Sequence, residues 1–378
     1  MTVSALRVGL IVPRFAPFRG GVETYTAHAA AALAAKGADV TVVTQVPRTA
    51  ALPPREVHDG YVVERHHLPF GDSFDVPSPA AARTAWRSGP FDVLWLHNYH
   101  TPLAWLAAER ARVPVVLTPH YHGVGSTRMR EILHRPYRLA GRRLMAASRR
   151  VVVCTDAEAD LVLRDFPREV GPDKITVVPP AVADPVRGRQ PFPGEAPVVL
   201  TVARHEPYKR TDLLVRAVAE LRTRGVPARL VVVGGGSALG GLKELASRLR
   251  ADDVVTFTGQ VDEETLGRWW ASASLYATAS LQEAFGIGLA EALAAGLPAV
   301  ASGISAHREV IRGAGSGALA ELCGANAPDI DAATQYADAI ARLLNARGSC
   351  GERAARCALL GPAQVGERLL ETLTSALR

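Results

Sequence analysis

Two carboxylates with seven residues between them, Glu283 and Glu291, stand in the stretch Ser280-Leu281-Gln282-Glu283-Ala284-Phe285-Gly286-Ile287-Gly288-Leu289-Ala290-Glu291. A strand-like run, Leu275 to Thr278, leads into this loop, and a small-residue helical pattern starts near Gly286 and ends at Gly296-Leu297-Pro298. Glycines let backbone N–H groups approach a ligand closely, and a helix N-terminus favours negative charge. A carboxylate accepts two hydrogen bonds at once, which suits the vicinal hydroxyls of a ribose or a hexose. The segment can therefore hold a phosphate between two polyols. Acids placed only to complement a helix dipole would explain one of these residues but not the whole string.

A phosphate needs cations. Arg204 follows the strand-like run 198–202, and Lys209 lies five residues further on, at the start of the next helical pattern. Arginine clamps phosphate oxygens bidentately and lysine adds a point charge. Alone the pair would read as a surface ion pair; in the same half of the chain as residues 280–298 it reads as a diphosphate site.

These residues need elements to position them. Strand-like runs at 6–13, 40–44, 93–96, 113–118, 151–154 and 175–178 alternate with helical patterns, and the rhythm predicts a parallel sheet covered on both faces. Between Val178 and Val198 lie Pro179, Pro180, Pro185, Pro191, Pro193 and Pro197, which exclude a central strand or a helix and mark a linker. Beyond it the rhythm restarts, with strands at 198–202, 230–233, 254–258, 274–278 and 298–302. At 378 residues the chain is long enough for two domains of about 150 residues each. The predicted organisation is an N-terminal domain 1–183, a linker 184–197, a C-terminal domain 198–362 and a helix 363–378. Two such domains imply a cleft between them, where ligands of these folds bind. The final helix carries Val365, Leu369, Leu370, Leu373 and Leu377 at helical spacing and must bury that stripe, by the present reading against the N-terminal domain.

Together the motifs resemble the signature of the retaining, nucleotide-sugar-dependent glycosyltransferases of family 4. The resemblance lies in Glu283 and Glu291 in their Ser-x2-Glu-x-Phe-Gly context, in Ala203-Arg204-x4-Lys209 after a strand, and in Gly20-Gly21-Val22-Glu23 after the first strand. It implies the α/β architecture called GT-B, two Rossmann-like doubly wound parallel-sheet domains facing an interdomain cleft, with the acceptor bound by the N-terminal domain and the donor by the C-terminal one. It further implies that Glu291 holds the ribose diol and that Glu283 contacts the donor sugar. Sugar or phosphate would be held by the amides of Phe285, Gly286 and Ile287, and Arg204 and Lys209 would stabilise the departing nucleoside diphosphate. Gly20 and Gly21 would close over the donor, and His120 would face the sugar. Where the family carries a glycine-rich turn before a glutamate, this chain has Gly303-Ile304-Ser305-Ala306-His307-Arg308-Glu309, and no role is assigned to Glu309.

The expected activity is hexosyl transfer from a nucleotide-diphosphate sugar to a hydroxyl acceptor, without cofactor or metal. A sugar-nucleotide epimerase, a sugar phosphorylase on the same fold and a non-catalytic nucleotide-sugar-binding protein are the alternatives. His97, His100, His120 and His122 follow strands, but no nearby acid or cysteine completes a metal-ligand spacing. Asp329-Ile330-Asp331 precedes a helical pattern and reads as a cap. Gly234-Gly235-Gly236 follows a strand, yet position 239 is leucine and the dinucleotide fingerprint is broken. The scattered Cys154, Cys323, Cys350 and Cys357 read as reduced thiols of a cytoplasmic protein. With 43 basic against 37 acidic residues, the partners are anionic. Eight arginines between Tyr121 and Arg150, against the single acid Glu131, read either as a solvated helix face or as a surface for an anionic acceptor or, at the periphery of the membrane, phospholipid headgroups. Nucleic acid is disfavoured because aromatic residues do not interleave with these arginines.

Overall fold

The structure is a computed structural model that describes residues 5–18, 20–74, 76–87, 91–121, 139–182, 184–186, 188–194, 196–315, 320–324, 329–346 and 361–378. The chain divides into two compact units: Met1–Ala181 together with Leu360–Arg378, and Val182–Leu359.

The first unit is built on an eight-stranded sheet of β1 (Arg7–Ile11), β2 (Asp39–Val46), β3 (Arg55–His58), β4 (Tyr61–His67), β5 (Val93–His97), β6 (Val115–Thr118), β7 (Arg150–Val153) and β8 (Ile175–Val177), in the order β3-β4-β2-β1-β5-β6-β7-β8. All neighbours are parallel except β3 and β4. Runs such as Val93–His97 are buried along their whole length, as a sheet covered on both faces requires. The β3–β4 hairpin falls in a region where the sequence pattern predicts only loop. Its turn is Asp59-Gly60, both at positive φ (41° and 83°), the backbone that a two-residue hairpin with right-handed twist demands. The helix Pro362–Ser375 belongs to this unit. It packs on the helix Gly21–Ala35 through Val365, Leu369 and Leu373, and a Cβ on Gly366 would stand 2.5 Å from the Ala32 carbonyl oxygen, so glycine there allows the two helices to close.

The second unit is a six-stranded parallel sheet of β9 (Val198–Val202), β10 (Arg229–Val233), β11 (Val255–Gly259), β12 (Leu275–Thr278), β13 (Ala299–Ser302) and β14 (Ala320–Cys323), in the order β11-β10-β9-β12-β13-β14. Its first strand is central. The strand order reverses between β9 and β12, a switch point of the kind at which doubly wound sheets bind ligands, at the C-terminal ends of the strands. The core is made by Val199, Leu230, Val232, Leu275 and Ala277 of the sheet with Leu214, Val218 and Leu221 of the helix Thr211–Thr223 and Ile340 of the helix Asp329–Ala346. The described residues of the proline-rich stretch form no strand or helix, and Phe192 packs on Trp269 with ring centres 4.4 Å apart and planes tilted by 42°, under the Arg268 guanidinium.

Candidate active site

In the second unit, the loops after β9 and β12 carry the cations and the acids, and they meet at the switch point. The Lys209 ammonium donates to Glu283 Oε1 at 2.5 Å, and the Ser280 hydroxyl donates to the same oxygen at 2.8 Å. The two loops are also tied through the backbone, Leu281 N–H to the Tyr208 carbonyl at 2.9 Å. Burial alone would lift the Glu283 carboxyl, but the Lys209 ammonium and the Ser280 hydroxyl outweigh it and hold its pKa below the usual range. Burial likewise works against the Lys209 ammonium, and Glu283 more than offsets it, so the pair is ionised on both sides. Arg204 is exposed at the rim, 3.7 Å from Glu206, and its charge is felt by Lys209.

Two devices hold the Arg204–Lys209 loop that sequence reasoning missed. His205 is wholly buried, with Nε2 at 3.1 Å from the Val233 carbonyl and Nδ1 at 2.9 Å from the Thr211 hydroxyl. A carbonyl can only accept, so Nε2 carries the proton and Nδ1 accepts from Thr211. Burial pushes its pKa down to about 4, which keeps the ring neutral and this tautomer fixed. The second device is Gly234-Gly235-Gly236. Gly234 and Gly236 sit at φ 123° and 146°, and side chains there would run into the carbonyl oxygens of Ala203 and His205. These glycines let the β9 loop lie on the β10 loop; they form no dinucleotide motif.

The helix Ile287–Ala294 opens on Gly286, which is left-handed at φ 99°. Its first-turn N–H groups have no intrahelical partner, and no acid occupies that turn. Gly288 has no side chain because the Tyr276 hydroxyl fills the place of its Cβ. Burial raises the Tyr276 phenol, and the charges of Glu283 and Glu291 add to it. Glu291, in the second helical turn, is half-buried, and burial pushes its pKa up to about 7. Glu283 and Glu291 thus differ sharply: the first is held ionised by a lysine, the second titrates near neutrality.

The remaining sequence-predicted residues lie in the first unit, at the C-terminal ends of its strands. The helix Gly21–Ala35 begins directly after Gly20. A side chain on Gly20 would strike the Glu23 carboxylate, which pairs with Arg14, whereas Gly21 has open space among the described residues. His120 is buried in left-handed conformation (φ 49°), with Nε2 at 3.2 Å from His97 Nδ1 and Nδ1 at 4.0 Å from the Cys154 sulfur. Its surroundings are fixed by Glu158, whose buried carboxylate accepts the Tyr121 N–H at 2.7 Å and the Cys154 N–H at 2.8 Å and so clamps the ends of β6 and β7. Glu158 was also missed; the capping pattern Thr155-x2-Glu158 is its sequence signal.

Among the described residues, no group of three His, Cys, Asp or Glu could hold a metal ion, and the helix Asp329–Ala346 begins on the Asp-Ile-Asp triplet. Of the arginine-rich segment, 122–138 lies outside the described residues. Arg142, Arg143 and Arg149 are exposed, and Arg150 donates to the Ser375 hydroxyl at 3.1 Å. No helix among the described residues is long and apolar enough to cross a membrane.

Comparison with known proteins matches this arrangement. Residues 183–358 fit the family model of glycosyl transferases group 1, and residues 20–181 that of the glycosyl transferase 4-like domain. D-inositol 3-phosphate glycosyltransferase of Streptomyces scabiei is 33% identical over 343 residues, covering 80% of this chain and 75% of the relative. The protein of the same name from Nocardia farcinica is 31% identical over 396 residues, covering 95% and 85%. Among solved structures, HepE of Anabaena in complex with UDP-glucose has a TM-score of 0.73 at 17% identity, covering 97% of this chain and 99% of that one. Sucrose-phosphate synthase of Thermosynechococcus elongatus has a TM-score of 0.72 at 19% identity, covering 99% and 95%. Two doubly wound sheets, the Lys209–Glu283–Ser280 cluster at the second sheet's switch point and these relatives lead to one conclusion: the chain is a GT-B enzyme and belongs to the group 1, family 4-like glycosyltransferases.

Proposed function

We propose that the enzyme moves a hexosyl group from a nucleoside-diphosphate sugar to a hydroxyl acceptor, with retention of configuration and without a metal ion. The observation that carries this reading is the meeting of Lys209, Ser280 and Glu283 at the switch point, beside the helix start at Gly286 and the half-buried Glu291. In this reading Glu291 accepts the two ribose hydroxyls, and Glu283 with the amides of Phe285, Gly286 and Ile287 holds the sugar. Lys209 and Arg204 neutralise the diphosphate. When the bond between the anomeric carbon and the phosphate oxygen breaks, its electron pair goes to the diphosphate, and fixed cations lower that barrier. The acceptor oxygen then bonds to the anomeric carbon on the face the diphosphate leaves, and its proton passes to the departing phosphate oxygen. Glu283 is already engaged by Lys209 and Ser280, which supports an orienting role over that of a covalent nucleophile. Gly20 and Gly21 are assigned to contact with the donor, and His120 to the sugar.

The relatives' shared name supports a phosphorylated cyclitol as the first acceptor to try, and the UDP-glucose complex of HepE supports a sugar nucleotide as donor. A thermal-shift panel of UDP-, GDP-, ADP- and TDP-sugars tests the donor class, because a bound donor raises the melting temperature. With donor and acceptor in hand, the product should keep the donor's anomeric configuration by NMR, and turnover should persist in excess chelator. Inversion, or activity lost to chelator and restored by a divalent ion, would overturn the respective part of the reading.

A further inference from the structure

The helix Ser305–Ala314 carries a polar ring into the core behind the loop that bears Glu283. His307 is 1% exposed. Its Nδ1 lies 2.9 Å from the Ser302 carbonyl and 3.1 Å from the Ser302 hydroxyl. The carbonyl can only accept, so Nδ1 carries the proton; burial pushes the pKa down and keeps the ring neutral, which leaves Nε2 a bare lone pair. That nitrogen is buried and has no hydrogen-bond partner among the described residues. A residue serving only to fill this space would be apolar, since an unmet buried acceptor is unfavourable.

The ring touches the loop at both ends. At one end, the Ser302 hydroxyl accepts from His307 Nδ1–H and donates to the Ser280 carbonyl at 2.5 Å, and the Ser280 hydroxyl donates to Glu283 Oε1 at 2.8 Å. At the other, a Cβ on Gly286 would stand 3.0 Å from His307 Cδ2 and 3.3 Å from Nε2, so the ring's far edge lies directly under Gly286.

We propose that His307 is a positioning residue that braces loop 280–286, through Ser302 and Ser280 at its start and beneath Gly286 at its end, so that the Glu283 carboxylate stands where the donor sugar's hydroxyls meet it. The proposal rests on the reading of Glu283 given above. His307 touches no substrate in this account; it fixes the angle of a group that does.

The test is binding. For UDP, GDP, ADP and TDP and the glucose ester of each, the tightest pair is chosen, and the ratio of the two dissociation constants (ester over free diphosphate) isolates what the sugar contributes. Glu283→Gln should raise that ratio by about tenfold or more, as loss of an oriented polar contact does. His307→Leu should raise it comparably while leaving affinity for the free diphosphate within about twofold. His307→Asn, whose amide nitrogen takes the place of Nδ1–H, should restore the wild-type ratio, and adding His307→Leu to Glu283→Gln should change nothing further. An unchanged ratio in His307→Leu overturns the proposal. So does an equal loss of both affinities, or an asparagine variant as poor as the leucine one, since these are the marks of a merely structural residue. An unchanged ratio in Glu283→Gln, or no binding by any pair, overturns the reading of Glu283 itself and the proposal with it.

Discussion

Lys209 serves two neighbours, and that separates it experimentally from Arg204. Arg204 stands at the rim with a loose 3.7 Å partner, so Arg204→Ala should lower kcat by a factor equivalent to about 2–4 kcal/mol while the melting temperature stays put. Lys209→Ala removes the cation that keeps a half-buried carboxylate ionised. It should lower kcat similarly and also lower stability, and Glu283→Gln added to it should recover stability without activity. Glu291 gives a pH signature. Only its ionised form accepts two hydroxyls, so donor affinity should rise with pH through about 7 and flatten in Glu291→Gln. The stability effect has the opposite sign. A carboxyl raised from 4.5 to about 7 by burial favours the folded state while it is protonated and loses that advantage as pH climbs through 7. Glu291→Gln should therefore stabilise the fold at pH 8 by about 1–2 kcal/mol, once the side chain's partial exposure is allowed for, and leave it nearly unchanged at pH 4, both read from denaturation. Both acids and both cations were legible in the sequence because their spacing is local. His205, Ser302 and His307 were not, since each acts across strands, on Val233 or Ser280, and no periodicity reports such a partner.

At the scale of elements, the glycine triplet after β10 shows what a motif scan cannot see. Gly234 and Gly236 are dictated by the carbonyls of Ala203 and His205 in the neighbouring loop, a constraint that exists only after β9 and β10 have paired. Gly234→Ala or Gly236→Ala should cost about 1–3 kcal/mol from the backbone conformation alone, more with the clash, and should displace Arg204 and Lys209 enough to depress turnover. Gly235→Ala is the control. Its Cβ would meet only the flexible Gln260 side chain at 3.3 Å, and both stability and kcat should stay near wild type. The strand rhythm located the buried parallel strands, whose unbroken apolar runs are unmistakable, and failed on the short edge strand β14 and on the β3–β4 hairpin. The hairpin strands mix histidine, arginine and glutamate with valine, and Asp59-Gly60 was the signal passed over.

At the scale of the molecule, the chain leaves its first unit at Ala181 and returns to it at Leu360. The apolar stripe of the last helix announced that it needed a partner; only the structure names the Gly21–Ala35 helix as that partner, because Gly366 fits it through a missing side chain opposite Ala32. Leu369→Ala should destabilise the first unit by about 2–5 kcal/mol in chemical denaturation and leave the unfolding of the second unit unmoved. A fragment spanning Val182–Leu359 should fold by itself, and one ending at Ala181 should not reach native stability. The order of synthesis adds a consequence. The face of the Gly21–Ala35 helix at Ala32 has no cover until the ribosome has made everything up to Ser375, which at about 5–20 residues per second is on the order of ten seconds or more after Ala181 emerges. Through that interval the nascent chain displays a greasy strip to solvent, and chaperones that recognise such strips should be found on stalled translation products ending before Pro362 and absent from those that extend past it.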